Sequence, residues 1–435
     1  MASPRYQSLR GMHDILPEDA PYFRLVEDAF WRVAKLHHFG EVRTPVLEDA
    51  ELFTRSVGEG TDIIHKEMYT LKDRSDNDLA LRPEMTASVA RSYLEHGMAS
   101  QVQPVRLAYV ANNYRYERPQ SGRYREFGQF GMEVFGSPEA CVDAEVIAAA
   151  WQIFEELGLG GLSVQIGSLG GEESRAAMRS AVTRTLRGHV SKLSDDVQRQ
   201  YRENPLRILD TKDPEVLAVL EEVPPLIDQL TDSDRRHLEE VLEFLDSVGI
   251  RYELNPRLVR GFDYYTQTVF EFWGEAGGQV ALGGGGRYDG LVAELGGPSV
   301  PAIGMAAGIE RIVALLKEKH GKQPLIERPD VFIVQLGNEA KRIGFDLSYR
   351  LTASGIRSTS APDKDSIRSQ LKVADKVSAS VAVIIGQKEA IDASAILRDM
   401  DSGMQETVPL ADVVERISKR LPGAVKTTSK LNARS

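Results

Sequence analysis

Between Tyr114 and Phe135 the sequence reads YRYERPQSGRYREFGQFGMEVF. Its charged and polar residues suit a small zwitterion held beside a polyphosphate. Arg115 and Glu117 close an apolar-flanked run, and Arg118 to Arg123 form a basic loop containing Pro119 and Gly122. In the run that follows, Phe127, Gln129, Gly131, Glu133 and Phe135 share one side. Guanidinium groups match planar, multiply charged anions. Strand alternation places Gln129 and Glu133 on one face, about 13 Å apart. The elements that would position these groups are two strands joined by the basic loop. A charged hairpin with solvated arginines fits the same pattern, so other segments have to decide.

Four of them bear on the question. In LALRPEMTASVARSYLEHG, Leu79 to Gly97, a strand at Leu79–Arg82 leads through Pro83 to a helix beginning near Thr86. There Thr86 could be the N-cap and Glu84 a partner of the positive helix end, or Glu84 could bind an α-ammonium group. LVRGFDYYTQTVFEFW, Leu258 to Trp273, alternates and is aromatic-rich, which predicts a strand. Arg260, Asp263, Tyr264 and Tyr265 are its polar members, and an Arg260–Asp263 ion pair would account for two of them. LGGGGRYDGL, Leu282 to Leu291, permits close backbone approach. It is not a P-loop, because no Gly-Lys-Ser/Thr follows. AIGMAAGIER, Ala302 to Arg311, predicts a strand of small residues and then a helix start. Gly158, Gly160 and Gly161 belong to no βαβ unit with an acidic ribose ligand, which excludes a dinucleotide site.

The hairpin resembles motif 2 of the class II aminoacyl-tRNA synthetases, an Arg-x-Glu, a variable loop and an Arg-x-x-x-Phe, here Arg115, Glu117, Arg123 and Phe127. Gly304, Gly308, Glu310 and Arg311 resemble motif 3, and the helix, strand and Pro45 near the start resemble motif 1, which in that family builds a homodimer interface. Leu258–Trp273 is similar to the histidine-specific segment of the histidyl-tRNA synthetase family, and the likeness covers nearly the whole chain. Met85, where that family often has Gly, is a departure expected to be harmless.

The resemblance implies ATP-dependent activation of L-histidine to histidyl-adenylate and transfer to the 3′-terminal adenosine of tRNA(His). It implies Arg115 and Arg260 as the catalytic pair flanking the α-phosphate and the reacting carboxylate. Arg123 and Arg311 would hold the outer phosphates with Mg²⁺, Phe127 would stack on adenine and Glu117 would lie near its amino group. Glu84, Thr86 and Gln129 would bind the α-ammonium side of histidine. Tyr288 would lie alongside them, Glu133 and Tyr265 would read the ring, Tyr264 would also bind histidine, and Arg287 would also face the pocket. Arg118 and Gln120 would touch the acceptor end of the tRNA. Lys364, Arg368 and Lys372, on one side of a helix, would meet phosphates elsewhere in the tRNA. A non-catalytic, histidine-binding relative, the regulatory subunit of ATP phosphoribosyltransferase, is the alternative. The presence of Arg115, Glu117 and Arg260, and of an anticodon-type module, weighs against it.

The chain of 435 residues has room for two or three domains. The expected fold is α/β in the α+β sense, a class II catalytic domain on a mostly antiparallel sheet with a helical insertion and a C-terminal α/β anticodon-binding domain. The expected boundaries are 1–171 and 248–325 for the two parts of the catalytic domain, 172–247 for the insertion, and 330–421 for the anticodon-binding domain. A disordered basic tail is expected over 422–435. A helix is predicted over Pro17–His38 and a polar linker over Lys317–Pro329. In the C-terminal module, strands are predicted at Val331–Leu336, Ile356–Ser360, Val381–Ile385, Ala395–Asp399 and Thr407–Leu410. The net charge is −11, yet Asp330 to Ser435 carries 16 Lys+Arg against 13 Asp+Glu, which is compatible with RNA binding through local patches. Cys141 is the only cysteine, excluding a disulfide framework and a thiolate zinc site. The first residues lack an apolar signal-peptide core, and no run approaches the roughly 20 apolar residues of a membrane helix. A cytoplasmic enzyme without membrane association is expected.

Overall fold

The computed structural model describes residues 6–58, 61, 63–119, 122–190, 193–211, 213–274, 281–320 and 328–421. The expected tail at 422–435 and Gln120 lie outside the described residues. The chain divides into two compact units, Met1–Leu325 and Ile326–Ser435.

In the first unit, α1 (Ala20–Leu36) starts with Pro21 in its first turn, where a missing N–H costs nothing. It buries Tyr22, Val26, Phe30 and Val33 at helical spacing. Two short strands follow, β1 (Gly40–Glu41) and β2 (Leu47–Asp49), then α2 (Ala50–Val57), β3 (Thr70–Lys72), β4 (Asp78–Leu81) and α3 (Thr86–Glu95). β2, β4 and β3 form a small sheet in that order. The predicted hairpin is β5 (Val105–Tyr114) and β6 (Glu126–Phe135), antiparallel over ten residue pairs from Val105–Phe135 to Tyr114–Glu126.

After α4 (Ala140–Glu156) and β7 (Ser163–Ser168) comes a helical stretch containing α5 (Glu172–Leu186), α6 (Asp195–Glu203), α7 (Pro214–Leu220) and α8 (Asp232–Ser247). β8 (Tyr252–Leu254), β9 (Thr266–Trp273), β10 (Gly283–Arg287), α9 (Leu291–Glu294), β11 (Ala302–Gly308) and α10 (Ile309–His320) complete the unit. Eight of these strands form one sheet, ordered β1-β5-β6-β11-β10-β9-β7-β8. Only the end pairs β1–β5 and β7–β8 are parallel. Alternation sorts its two faces. Phe130 of β6 stacks on Phe30 of α1, ring centroids 4.8 Å apart, and Phe272 of β9 meets Phe154 of α4 at 5.1 Å. The residues between, Gln129, Gly131 and Glu133, therefore point to the other face.

Three expectations need correction. Residues 258–265 are a loop, and only Thr266–Trp273 is strand. The aromatic side chains there pack on one another, Phe262 on Tyr264 at 5.2 Å and Tyr264 on Tyr265 at 4.6 Å, instead of alternating across a sheet. α10 runs to His320, four residues into the predicted linker, of which residues 321–327 lie outside the described residues. Thr86 is the first residue of α3 and not its cap by side chain. Glu84 caps that helix, accepting the Thr86 and Ala87 N–H groups at 2.7 Å each.

The second unit is a five-stranded sheet, ordered β13-β12-β14-β15-β16. Its strands are β12 (Val331–Gln335), β13 (Ser358–Ser360), β14 (Val381–Ile385), β15 (Ser394–Asp399) and β16 (Gln405–Pro409). The central strands β12 and β14 are wholly buried and apolar apart from Gln335 at the end of β12. α11 (Asn338–Ala353), α12 (Ile367–Lys376), α13 (Gln387–Ile391) and α14 (Val413–Arg420) complete it. The five-residue α13 has no counterpart in the sequence reading. Buried Gln370 of α12 bonds the N–H and carbonyl of Gln335 and the carbonyl of Lys364, fixing the loop before its helix.

Candidate active site

The face of the large sheet opposite α1 and α4 carries a cleft of about 290 Å³. Its lining brings together residues far apart in sequence, among them Glu84 and Thr86, Arg115 and Glu117, Arg123, Phe127 and Gln129, Arg260, Tyr264 and Tyr265, Gly284, Tyr288, and Glu310 and Arg311. Each candidate for ATP or histidine binding lines it except Glu133, which lies immediately beneath.

Arg115 follows β5. Its Nε donates to the Pro83 carbonyl at 2.9 Å, and its guanidinium sits 5.3 Å from the Phe127 ring and 5.6 Å from the Phe262 ring. The backbone and two aromatic faces thus hold it before any anion arrives. Glu117 lies between cations, 3.9 Å from Arg115 and 3.6 Å from Arg123. Arg311, on the first turn of α10, donates to the Ala281 carbonyl at 2.7 Å and the Gly122 carbonyl at 3.4 Å. Burial, and then the Arg123 charge, push its pKa down. A cluster of cations that repel one another has unspent attraction for a polyanion.

Arg260 faces this group from the other wall. It is paired with Glu271 of β9 and lies over Tyr265, 5.7 Å from the ring centroid. Burial alone would lower its pKa, but Tyr265 and Glu271 outweigh that and raise it, so the cation is secure. The Arg260–Asp263 pair considered from sequence does not form. Gly284 of β10 shows why a glycine run adjoins this arginine: a Cβ there would stand 2.8 Å from the Arg260 guanidinium and closer still to the Phe270 carbonyl.

Beneath the cleft, Glu133 is wholly buried and ringed by hydroxyls. Thr86 donates to it at 2.9 Å, Tyr109 at 3.1 Å, and Tyr288 makes a closer contact. Burial pushes its pKa up to about 8, against the pull of these hydrogen bonds. Gly304 stands opposite Glu133 in the β6–β11 register, and a side chain there would overlap the carboxylate. Gly131 likewise leaves its space to the Tyr109 hydroxyl. Glu84, fixed by the α3 cap and lining the cleft, is also raised by burial. Gln129 is fixed by the Asn113 amide at 2.7 Å. Tyr264 packs edge-on against Tyr288, centroids 5.6 Å apart.

Arg287 does not face the cleft. β10 turns it to the opposite side, where it pairs with buried Asp143 at 2.6 Å and donates to the Ser137 and Glu139 carbonyls. Arg118 is exposed on the hairpin loop, away from the lining set. In the second unit Arg368 and Lys372 are exposed one turn apart on α12, but Lys364 belongs to the loop before it and pairs with Asp363 at 3.2 Å. Sequence reasoning missed Glu271, Tyr109 and Phe262. A glutamate inside the apolar run of β9 was the available signal for the first.

The model for the family described as histidyl-tRNA synthetase matches residues 11–312, and that for the anticodon binding domain matches residues 330–420. The chain belongs to the histidyl-tRNA synthetase family. It is 44% identical to the histidine–tRNA ligase of Halothermothrix orenii, over 94% of this chain and 98% of that one. It is also 44% identical to the histidine–tRNA ligase of Dehalococcoides mccartyi, over 96% of this chain and 100% of that one. The crystal structure of apo histidyl-tRNA synthetase from S. aureus superposes with a TM-score of 0.79 at 35% identity, covering 95% of this chain and 99% of that one. With family relatives matched over nearly their full length, and an anticodon-type domain present, the regulatory-subunit alternative is the less supported reading.

Proposed function

We propose that the chain joins L-histidine to tRNA(His), first as histidyl-adenylate and then as the ester of the 3′-terminal adenosine. The observation that carries this is the placement of Arg115 and Arg260, from opposite walls, on one cleft that also holds Glu84, Thr86, Gln129 and the tyrosines. Activation brings a carboxylate to the α-phosphate of ATP and expels pyrophosphate. Both reactants are anionic, so fixed guanidinium groups must offset repulsion and the charge growing on the phosphorus oxygens. Arg115 and Arg260 take that role. Orientation does most of the rest, and no side-chain nucleophile is required.

Arg123 and Arg311 hold the β- and γ-phosphates, Phe127 stacks on adenine, and Glu117 lies by its amino group. Glu310 lines the cleft beside Arg311 and offers a hard carboxylate oxygen, the donor type that Mg²⁺ takes one or two at a time next to phosphates. It fits a magnesium ion entering with ATP, which would shield the outer phosphates. Glu84, Thr86 and Gln129 receive the α-ammonium group. Tyr265 and, from beneath, Glu133 read the imidazole. A buried polar site rejects apolar analogues because its own groups would be left unpaired.

Arg118 and Gln120 serve the acceptor end, and Lys364, Arg368 and Lys372 serve the rest of the tRNA. The helical stretch 172–247 is an insertion in a catalytic domain of parts 1–171 and 248–325, with 330–421 as the anticodon-binding domain. A cytoplasmic homodimer formed through the α1–β1 region completes the reading. ATP–pyrophosphate exchange tests it. Exchange should require L-histidine and not appear with the other standard amino acids; purified protein without histidine-dependent exchange contradicts it.

A further inference from the structure

The loop 258–265 has a second attachment, on the side away from the cleft. Asp263 accepts from Arg207 Nε at 3.0 Å, from Arg207 Nη2 in a closer contact, and from the Asn204 amide at 2.7 Å. Both donor residues follow α6, in the helical stretch between β7 and β8. Arg175 of α5 adds a bond from its Nη1 to the Tyr265 carbonyl at 3.3 Å. The Asp263 N–H donates to the Val57 carbonyl at the end of α2. Gly58, at φ +98°, leaves clear the space that the Asp263 carboxylate fills.

Arg207 is 10% exposed, and its Nη1 is buried without a partner. A buried guanidinium held by two of its nitrogens on one carboxylate has little freedom to move, unlike a surface pair. The same eight residues present Arg260, Phe262, Tyr264 and Tyr265 to the cleft. One short loop is therefore substrate-facing on its inner side and clamped by the helical stretch on its outer side.

We infer that Arg207 and Asn204, acting through Asp263, are positioning residues for the amino-acid half of the site. The helical stretch is then a working part of histidine selection in the first step, before any tRNA is bound. This rests on the reading of the loop as histidine-binding. Release of Asp263 would let Arg260 and the two tyrosines drift, and displacements of about an ångström cost up to about a hundredfold in well-oriented reactions. Of the nucleotide half, built from Arg115, Arg123, Phe127 and Arg311, Arg115 touches the clamped loop through the Phe262 ring, and among the described residues none of the four bonds Arg207, Asn204 or Asp263.

The test is steady-state ATP–pyrophosphate exchange with the full-length protein and no tRNA. Arg207→Ala should raise the KM for histidine by about tenfold or more while the KM for ATP stays within about twofold. Arg207→Lys, which keeps the charge but not the fork, should fall between it and wild type. Asp263→Ala should match Arg207→Ala, and the double variant should be no worse than either single one. Should Arg207→Ala fail to fold, Arg207→Lys and Asn204→Ala carry the test, with a raised histidine KM in both supporting the clamp. Histidine KM values within twofold of wild type in properly folded variants overturn it. So does multiplication of the single effects in the double variant, or an equal rise in both KM values. Wild-type protein that lacks exchange would instead overturn the functional reading, and the clamp with it.

Discussion

At the scale of single residues, the site is a set of cations and polar groups whose partners were chosen before substrate binds. Arg260 is the sharpest case. It rests on Glu271 and Tyr265, away from Asp263, and so faces the cleft. Arg260→Ala should lower histidine-dependent exchange by on the order of 10²–10³, a few kcal/mol of transition-state stabilisation. Filter binding of tRNA should be nearly unchanged, and equal loss of both would contradict the assignment.

Glu133 makes a different prediction. Its folded pKa of about 8 lies above the ordinary 4.5, so between those values the folded state holds a proton that the unfolded state has lost. Its contribution to stability is complete below pH 4.5 and disappears as pH rises through 8, at about 1.4 kcal/mol per unit at the steepest. Glu84, Asp289 and Glu310 are shifted the same way, so wild type alone will not isolate it. Glu133→Gln should flatten the difference. Urea unfolding of both proteins from pH 5 to 8.5 measures it, and parallel curves would show that Glu133 is ionised in the fold.

At the scale of elements, the glycines of β10 and β11 keep side chains out of the space that Arg260 and Glu133 need. Gly304→Ala should destabilise by about 1–3 kcal/mol through overpacking and raise the KM for histidine more than that for ATP. Differential scanning calorimetry and exchange kinetics together check this. The hairpin β5–β6, α1, α3, β11 and the strands of the second unit were legible in the sequence, as periodic or short apolar runs with Gly or Pro near their ends. The loop 258–265 was not. Its residues alternate like a strand, but tertiary contacts override the pattern: Asp263 bonds Arg207, some fifty residues away in sequence, and the aromatic rings stack on one another. Arg287 was misplaced for a related reason. Neighbouring side chains on β10 alternate, so Arg287 and Tyr288 could not both face the cleft, and buried Asp143 of α4 claims the arginine. No local signal in the sequence announces that partner. Glu133 was legible as a candidate, but its depth behind Thr86, Tyr109 and Tyr288 depends on three other segments and could be seen only in the fold.

At the scale of the whole molecule, the chain divides its charge as it divides its core. The body is acidic, and the second unit carries a small positive excess with Arg368 and Lys372 exposed on α12. Arg368→Ala with Lys372→Ala should weaken tRNA binding and reduce the slope of log affinity against log salt by about two. Exchange without tRNA should be unaffected. An unchanged slope would place the tRNA on another surface.

Each unit has its own buried core, which fits a division of labour between amino-acid activation in residues 1–325 and tRNA recognition aided by residues 326–435. Two guanidinium groups, one just after β5 and one in the loop before β9, are expected to meet at one reacting centre. A crystal structure with a non-hydrolysable histidyl-adenylate analogue tests it most directly. Both Arg115 and Arg260 should lie within hydrogen-bonding distance, about 3 Å, of the group that replaces the α-phosphate. An analogue bound in the cleft with either guanidinium still turned to its protein partner, and no contact to that group, would contradict the account.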